Sequence, residues 1–445
     1  MNFPSWDVPL IGGGMLIGLI AIVHVFVAHF AVGGGLFLVW TESRAYRRND
    51  PALLDYVRRH SAFFVLLVLV MGAVTGVGIW WSIGLVHPPA TSSLIHTFVW
   101  GWAIEWVFFF VEIAAAFVYY YGWDRLDRRT HLTVGWIYFG AAWLSLFVIN
   151  GILTFMLTPG RWLATRTFLD GFLNPTMIPS FVIRTASAIG LAGLYALVTA
   201  SRCGEDDLRH RVTRYAAGWI LAGGAVMALA GPWYISLIPP AARDISMGAA
   251  PAVTIFAGMS VALSVLIVAL AWFGPLRRPH LVNPIVVGLL VGLGFGVTGV
   301  TEWVREAVRK PYVIYGYMYS NGIRVQDVSA ISQNGLLATA KWAQPTDPLL
   351  RPLDAGRQIF RFQCRACHTV DGYNGVRLMV KGWREEFIYY QLGRLDELKG
   401  FMPPYAGTDA ERHALARWLF EVGRGRPFTT PGPQAAPSGA GEAGR

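Results

Sequence analysis

Charge is scarce in this chain. Of its 445 residues only 14% are charged while 54% are hydrophobic, and the mean hydropathy is +0.44. A soluble globular domain carries roughly 25% charged residues, so a wholly soluble protein is excluded and a membrane protein is expected. The deficit is concentrated in residues 1–305, and the remainder has ordinary polarity. A membrane region therefore precedes a small soluble one. Cysteine is nearly absent: there are three, two of them in one motif, which excludes a disulfide framework. Cys203 stands alone in a polar loop and reads as a reduced thiol. The opening MNFPSWDVP lacks the basic n-region of a cleavable signal peptide, so none is expected. No internal repeat is visible. The net charge of +10 does not imply nucleic acid, because most arginines lie in short loops between apolar runs.

Apolar runs long enough to cross a bilayer, about 20 residues each, fall near 11–40, 62–85, 98–121, 133–157, 180–200, 215–237, 251–273 and 284–305. Basic residues in short loops mark the inner face. Arg44, Arg47, Arg48, Arg58 and Arg59 follow the first span, and Arg125, Arg128 and Arg129 the third. Arg202, Arg209, Arg211 and Arg214 follow the fifth, and Arg277 and Arg278 the seventh. The alternate loops hold only Arg161, Arg166 and Arg243. Fourteen against three puts the N-terminus outside, and eight spans return the C-terminal region to the same side. The expected fold class is all-α: a polytopic membrane bundle of about eight helices followed by a small α-helical domain. The boundaries read 1–316 for the membrane domain, 317–350 for a connector and 351–425 for the soluble domain. A Pro/Gly/Ala-rich tail, 426–445, is expected to be disordered.

The soluble region contains IFRFQCRACHTVDGYNG (359–375). CxxCH is the attachment sequence of c-type haem: Cys364 and Cys367 would form thioethers and His368 would be an axial iron ligand. Haem c is attached outside the cytoplasm, and loop charge alone places this domain outside. Met402 in GFMPPYAGT is the candidate second ligand, its loop held by Pro403 and Pro404, and Met379 competes with it. A Met/His pair raises the potential and suits electron transfer. A zinc or redox thiol pair is the bland reading of the same cysteines. Helical flanks complete a likeness to class I monohaem cytochrome c over about 75 residues.

Ionisable groups inside membrane spans are functional candidates. Glu105 and Glu112 share one face of the third span, seven residues apart. Apolar surroundings favour a carboxyl that carries its proton, which suits a proton path; paired structural hydrogen bonds are the alternative. His24 in the first span is a possible haem ligand or a satisfied packing histidine. His29 points about 140° away from it. Gly33, Gly34 and Gly35 admit a close helix or a macrocycle. Glu302, Arg305, Glu306, Arg309 and Lys310 crowd the outer end of span eight, where the cations suit haem propionates or mutual salt bridges.

These residues carry a resemblance. AIEWVFFFVEIAAAFVYYYGWDRL resembles the third helix of cytochrome bd oxidase subunit I, with its two glutamates and GWDRL end. MGAVTGVG (71–78), SLFVINGILTFMLTPG (145–160), EAVRKPYVIYG (306–316) and HVFV from His24 resemble further segments of that family, in order. The resemblance implies that His24 ligates one high-spin haem at the oxygen-reducing site and Glu306 the other. It implies that Glu105 and Glu112 belong to the haem and proton-pathway region and that Arg309 lies near the propionates. It also exposes departures. The family's low-spin haem ligands, a histidine in span five and a methionine in span seven, fall here at Ile183-Arg184 and Phe256. The long quinol-binding loop is reduced to the stretch around LIPPAARDISMGA, and a cytochrome c domain replaces the ninth helix.

The expected function is a respiratory haem oxidoreductase of the cell inner membrane, its haem c domain on the periplasmic side. Electrons would pass between a periplasmic partner protein, haem c and buried haem b and/or haem d, and oxygen would be reduced there. The alternative is a non-enzymatic multi-haem relay subunit, with His29, His60 or His96 completing six-coordinate haems. A cytochrome c anchored by an empty bundle is the third reading. Further membrane subunits and lipid are the remaining expected partners.

Overall fold

A computed structural model of the chain describes residues 4–425; the tail 426–445 lies outside the described residues. Eight helices are long and apolar enough to span a membrane. They are α1 (Gly13–Arg48), α2 (Pro51–Val86), α3 (Val99–Tyr121), α4 (Arg128–Phe155), α5 (Met177–Ala200), α6 (Asp206–Leu237), α7 (Pro251–Leu276) and α8 (Pro284–Ala307). Several outrun their apolar cores. α1 continues to Arg48 because no breaker intervenes before Asn49, which caps it in the left-handed conformation. α2 begins at Pro51 with Asp50 as N-cap, its side chain accepting from Leu53 N at 3.0 Å. Within α2, Leu66–Gly72 is π-helical, a local defect that often marks a functional site.

α1 crosses the centre of the bundle, packed by α2, α4, α5 and α8. Its Gly33 makes the closest approach: a Cβ there would overlap the Ala188 carbonyl of α5, so the glycine run serves helix contact. Phe30, Phe37, Tyr56 and Phe64 fill the core around it. Outward-facing Trp81, Trp100, Trp106, Leu229 and Ile285 are exposed, as a lipid-facing belt requires.

Beyond α8 a short hairpin, β1 (Tyr312–Ile314) and β2 (Met318–Tyr319), leads to the small domain. There α9 (Pro352–Gln363) crosses α10 (Asp409–Gly423). Gly356 sits at the crossing, where a Cβ would overlap the Ala414 carbonyl. The core of this domain also takes in Ile323, Ile331 and Leu336 from the preceding segment. Glu411 ties that segment down, accepting from Leu336 N and Leu337 N at 2.8 Å each while forming a capping box with Thr408.

The small domain rests on the membrane domain at the end opposite the arginine-rich loops. Tyr373 N donates to Leu10 O at 2.7 Å, Arg365 donates to Ser5 O at 2.9 Å, and Lys310 Nζ lies 3.5 Å from Cys367 Sγ.

Candidate haem sites

α9 buries Ala355, Ile359, Phe360 and Phe362 and runs straight into the CxxCH motif. Cys367 N and His368 N both return to Cys364 O, at 3.1 and 2.9 Å, so one tight turn gathers the two thiols and the imidazole. Both cysteines are free. Burial pushes the Cys364 thiol up to about 12, which disfavours the thiolate needed for zinc or redox exchange. Among the described residues no group of three His, Cys, Asp or Glu could hold a metal ion. His368 Nδ1 lies 3.1 Å from Asn374 O. A carbonyl can only accept, so Nδ1 carries the proton and Nε2 keeps its lone pair for iron. Burial also holds the imidazole below its ordinary value, favouring the neutral form.

The loop after Met402 is tied to this turn. Gln363, next to Cys364, donates to Ala406 O, and Ala406 N donates back to Gln363 Oε1 at 3.2 Å. Met402 is half-buried, whereas Met379, on the helix Val376–Met379, is 44% exposed. Tyr405 in the same loop has a buried hydroxyl with no hydrogen-bond partner.

In the membrane domain His24 faces α2. Its Nδ1 lies 3.2 Å from Thr75 Oγ1, and the Thr75 hydroxyl donates to Met71 O at 2.6 Å. With its own proton committed, Thr75 accepts from His24, and His24 Nε2 is again the bare nitrogen. Gly76 lies beside the ring; a Cβ there would sit 3.3 Å from His24 Cε1.

Glu306 and Arg309 form an ion pair, and Arg309 also lies 3.0 Å from Met156 Sδ. Arg309 is buried while the Glu306 side chain is half exposed. His24 and Glu306 do not share one position. Gly299 of α8 lies level with Ile22 of α1. His24 is two residues deeper and Glu306 seven residues further out, roughly 13 Å apart along the helices at 1.5 Å per residue. Arg305 pairs with Glu302 at 2.6 Å, so the cations at this end engage neighbouring carboxylates. Arg184 interacts electrostatically with Glu302, and Phe256 packs on Trp303 with ring centroids 4.5 Å apart.

Glu105 accepts from Ser145 Oγ at 2.9 Å, and Glu112 from Tyr138 OH at 3.1 Å, both across to α4. Sequence reading found the glutamates but not these partners, nor Thr75. His87 was also missed: its Nε2 donates to Ser320 O at 2.7 Å, and its buried Nδ1 has no partner. The one signal for it was a histidine before Pro88-Pro89 at a span end.

A family model for cytochrome bd terminal oxidase subunit I matches residues 15–236, and one for cytochrome c oxidase, cbb3-type, subunit III matches 351–419. The chain joins a cytochrome bd subunit I-like membrane domain to a cytochrome c domain. Among solved structures, a bd oxidase from Geobacillus thermodenitrificans is similar, with a TM-score of 0.56 at 20% identity. The likeness covers 69% of this chain and 88% of that one, and at this identity it shows the fold. No curated protein matches the chain. A cytochrome c domain implies haem c, and the bd family implies haem in the membrane domain. The free thiols and bare His368 Nε2 fit the first, and the bare His24 Nε2 fits the second. The protein is thus a multi-pass membrane haem protein of electron transfer.

Proposed function

We propose that this bd-like protein is a respiratory oxidoreductase of the cell inner membrane. It exchanges electrons with a periplasmic partner through haem c and reduces oxygen at haem b and/or haem d, one haem held by His24 and the other by Glu306. The contact between Lys310 and Cys367 carries the reading. It sets an attachment cysteine against the residue four places after Glu306, so haem c and the outer end of the membrane site are neighbours. The contacts to Ser5 and Leu10 hold the domain there, which favours exchange at fixed geometry over a tethered search.

Each residue then has a task. Cys364 and Cys367 attach haem c, and His368 with Met402 ligates its iron. Haem c supplies one-electron transfer. Arg309, pinned by Glu306 and Met156, presents a buried cation to carboxylate groups at the outer end. Glu105 and Glu112 hold protons for the reaction. Arg184 and Phe256 are not iron ligands, which agrees with electrons entering through the periplasmic domain and not through a quinol site. Further membrane subunits complete the assembly.

One observation favours a relay instead. His29 Nδ1 donates to Val25 O at 2.8 Å, leaving a second bare Nε2 in the bundle. Carbon monoxide separates the two readings. The oxidase predicts a CO-induced shift in the reduced spectrum and oxygen uptake with a reduced cytochrome c donor. Both are lost in His24→Ala while the haem c bands persist. No CO shift favours the relay, and uptake unchanged by His24→Ala overturns the assigned site.

A further inference from the structure

A cleft of about 40 Å³ lies in the seam where the small domain meets the membrane domain. Ser5 of the N-terminal segment, His87 at the outer end of α2 and Asn321 after the hairpin line one side. Arg361 and Arg365 line the other, with Trp342, which packs on the small domain's core. Its size admits about three waters or one small oxyanion.

Four of these residues carry a buried nitrogen with no hydrogen-bond partner: His87 Nδ1, Trp342 Nε1, Arg361 Nε and Arg365 Nη1. Buried polar groups are almost always paired, so four around one cleft point to a shared ligand. Three of them can only donate, being indole or guanidinium nitrogens. His87 differs. Its Nε2 spends the ring's proton on Ser320 O at 2.7 Å, which leaves Nδ1 an acceptor.

Other contacts hold these side chains in place. The Arg365 side chain is 10% exposed. Its Nη2 donates to Ser5 O at 2.9 Å, and its Nη1 lies 3.8 Å from Asp7 Oδ1, beyond hydrogen-bond range. The Arg361 guanidinium lies 5.6 Å from the centre of the Trp342 ring, which packs on Phe362 at 4.2 Å. Two guanidinium groups against one half-exposed Asp7 leave a surplus of positive charge. Charged donors suit an oxyanion, and the acceptor facing them requires that oxyanion to keep a proton. Phosphate keeps one at neutral pH. Sulfate has the same shape and keeps none.

We propose that the seam binds a protonated phosphate group, as free phosphate or as the singly ionised monoester of phosphatidic acid. Its oxygens accept from Arg361, Arg365 and Trp342, and its hydroxyl donates to His87 Nδ1. The donors belong to the small domain and the acceptor to the membrane domain, so the ligand clamps one to the other. Arg365 lies between the two attachment cysteines, and the clamp therefore bears on the haem c turn itself. This site goes beyond the function proposed above and does not rest on it. Ordered water in the same cleft is the competing reading.

Calorimetry tests the site on the haem-loaded full chain in phosphatidylcholine nanodiscs, titrated with inorganic phosphate and with sulfate. One phosphate per chain is expected to bind, at least tenfold more tightly than sulfate. Trp342→Phe, which keeps a ring on Phe362, and Arg361→Gln should each weaken it tenfold or more. His87→Leu should bring the two anions within threefold of each other. Phosphatidic acid in the nanodiscs, with phosphatidylglycerol as the charge control, separates the sources: a lipid occupant abolishes the phosphate heat, and a free-phosphate site keeps it. Hydrogen exchange at Tyr373 N, which donates to Leu10 O across the seam, reads the clamp. At phosphate ten times its dissociation constant, exchange should slow about 11-fold, and unchanged exchange overturns the clamp. No phosphate heat, with no phosphatidic acid in the lipid extract of the purified chain, leaves water in the cleft and overturns the site. So does parent binding of sulfate within threefold of phosphate, or phosphate binding unmoved by both Trp342→Phe and Arg361→Gln.

Discussion

Thr75→Val isolates the hydrogen bond that sets the His24 tautomer. Thr75 donates to Met71 O and accepts from His24 Nδ1; valine keeps the shape and loses the acceptor. An unpaired buried N–H costs about 1–3 kcal/mol. The competing tautomer, with its proton on Nε2, cannot ligate iron. At 1.4 kcal/mol per tenfold change, the membrane haem should be held about 5- to 150-fold more weakly. That range contains the 10–100-fold loss typical when a ligand's outer partner is removed. The assay is the rate at which membrane haem passes to excess apo-globin, with covalent haem c in the same chain as internal standard. Thr75→Ser keeps an acceptor and should match the parent. A loss rate within twofold of the parent in Thr75→Val refutes the tautomer argument. Equal loss in the serine variant refutes it too, because shape would then be the cause.

Gly356→Ala forces a Cβ into the Ala414 carbonyl; overpacking of about 1–3 kcal/mol should lower the cytochrome c domain's melting midpoint, followed in the haem c bands. Glu411→Ala strands the N–H groups of Leu336 and Leu337 and should cost about 2–4 kcal/mol by denaturant titration of the same signal. The domain should also weaken in acid. A hydrogen bond from Arg377 to Asp371, and bonds from Tyr389 and Arg412 to Asp409, hold both carboxyls below the ordinary 3.8. Their stabilisation is present above that value and disappears as pH falls through the lowered folded-state values. The melting midpoint should decline below about pH 4, less steeply in Asp371→Asn.

Much of this was legible in the chain because local rules govern it. A 20-residue apolar run must become a helix in lipid, since every backbone polar group has to be satisfied internally. CxxCH brings its two attachment thiols and its ligating imidazole together within one turn, whatever the fold around it. The heptad spacing of Glu105 and Glu112 could likewise be read from one helix. Ser145 and Tyr138 could not, because the residue facing each glutamate depends on the rotation and register of a second helix. Glu42 faces His131 Nδ1 at 2.8 Å, yet the two lie 89 residues apart. In sequence, Glu42 merges with the polar flank of the first span, and only the packing of α1 against α3 and α4 buries it. Ile323, Ile331 and Leu336 read as connector because they are sparse and aperiodic, yet they enter the small domain's core.

By itself the sequence determined the eight spans, the haem-attachment turn and the spacing of polar groups along each helix. Each of these depends on bonds or periodicities within a few residues. The tertiary structure alone decided that Cys367 meets Lys310, that His24 turns its Nδ1 to Thr75 and leaves Nε2 bare, and that Glu105, Glu112 and Tyr119 of α3 meet Ser145, Tyr138 and His131 of α4. Those pairings join distant segments, and only packing fixes how one helix is turned and shifted against another.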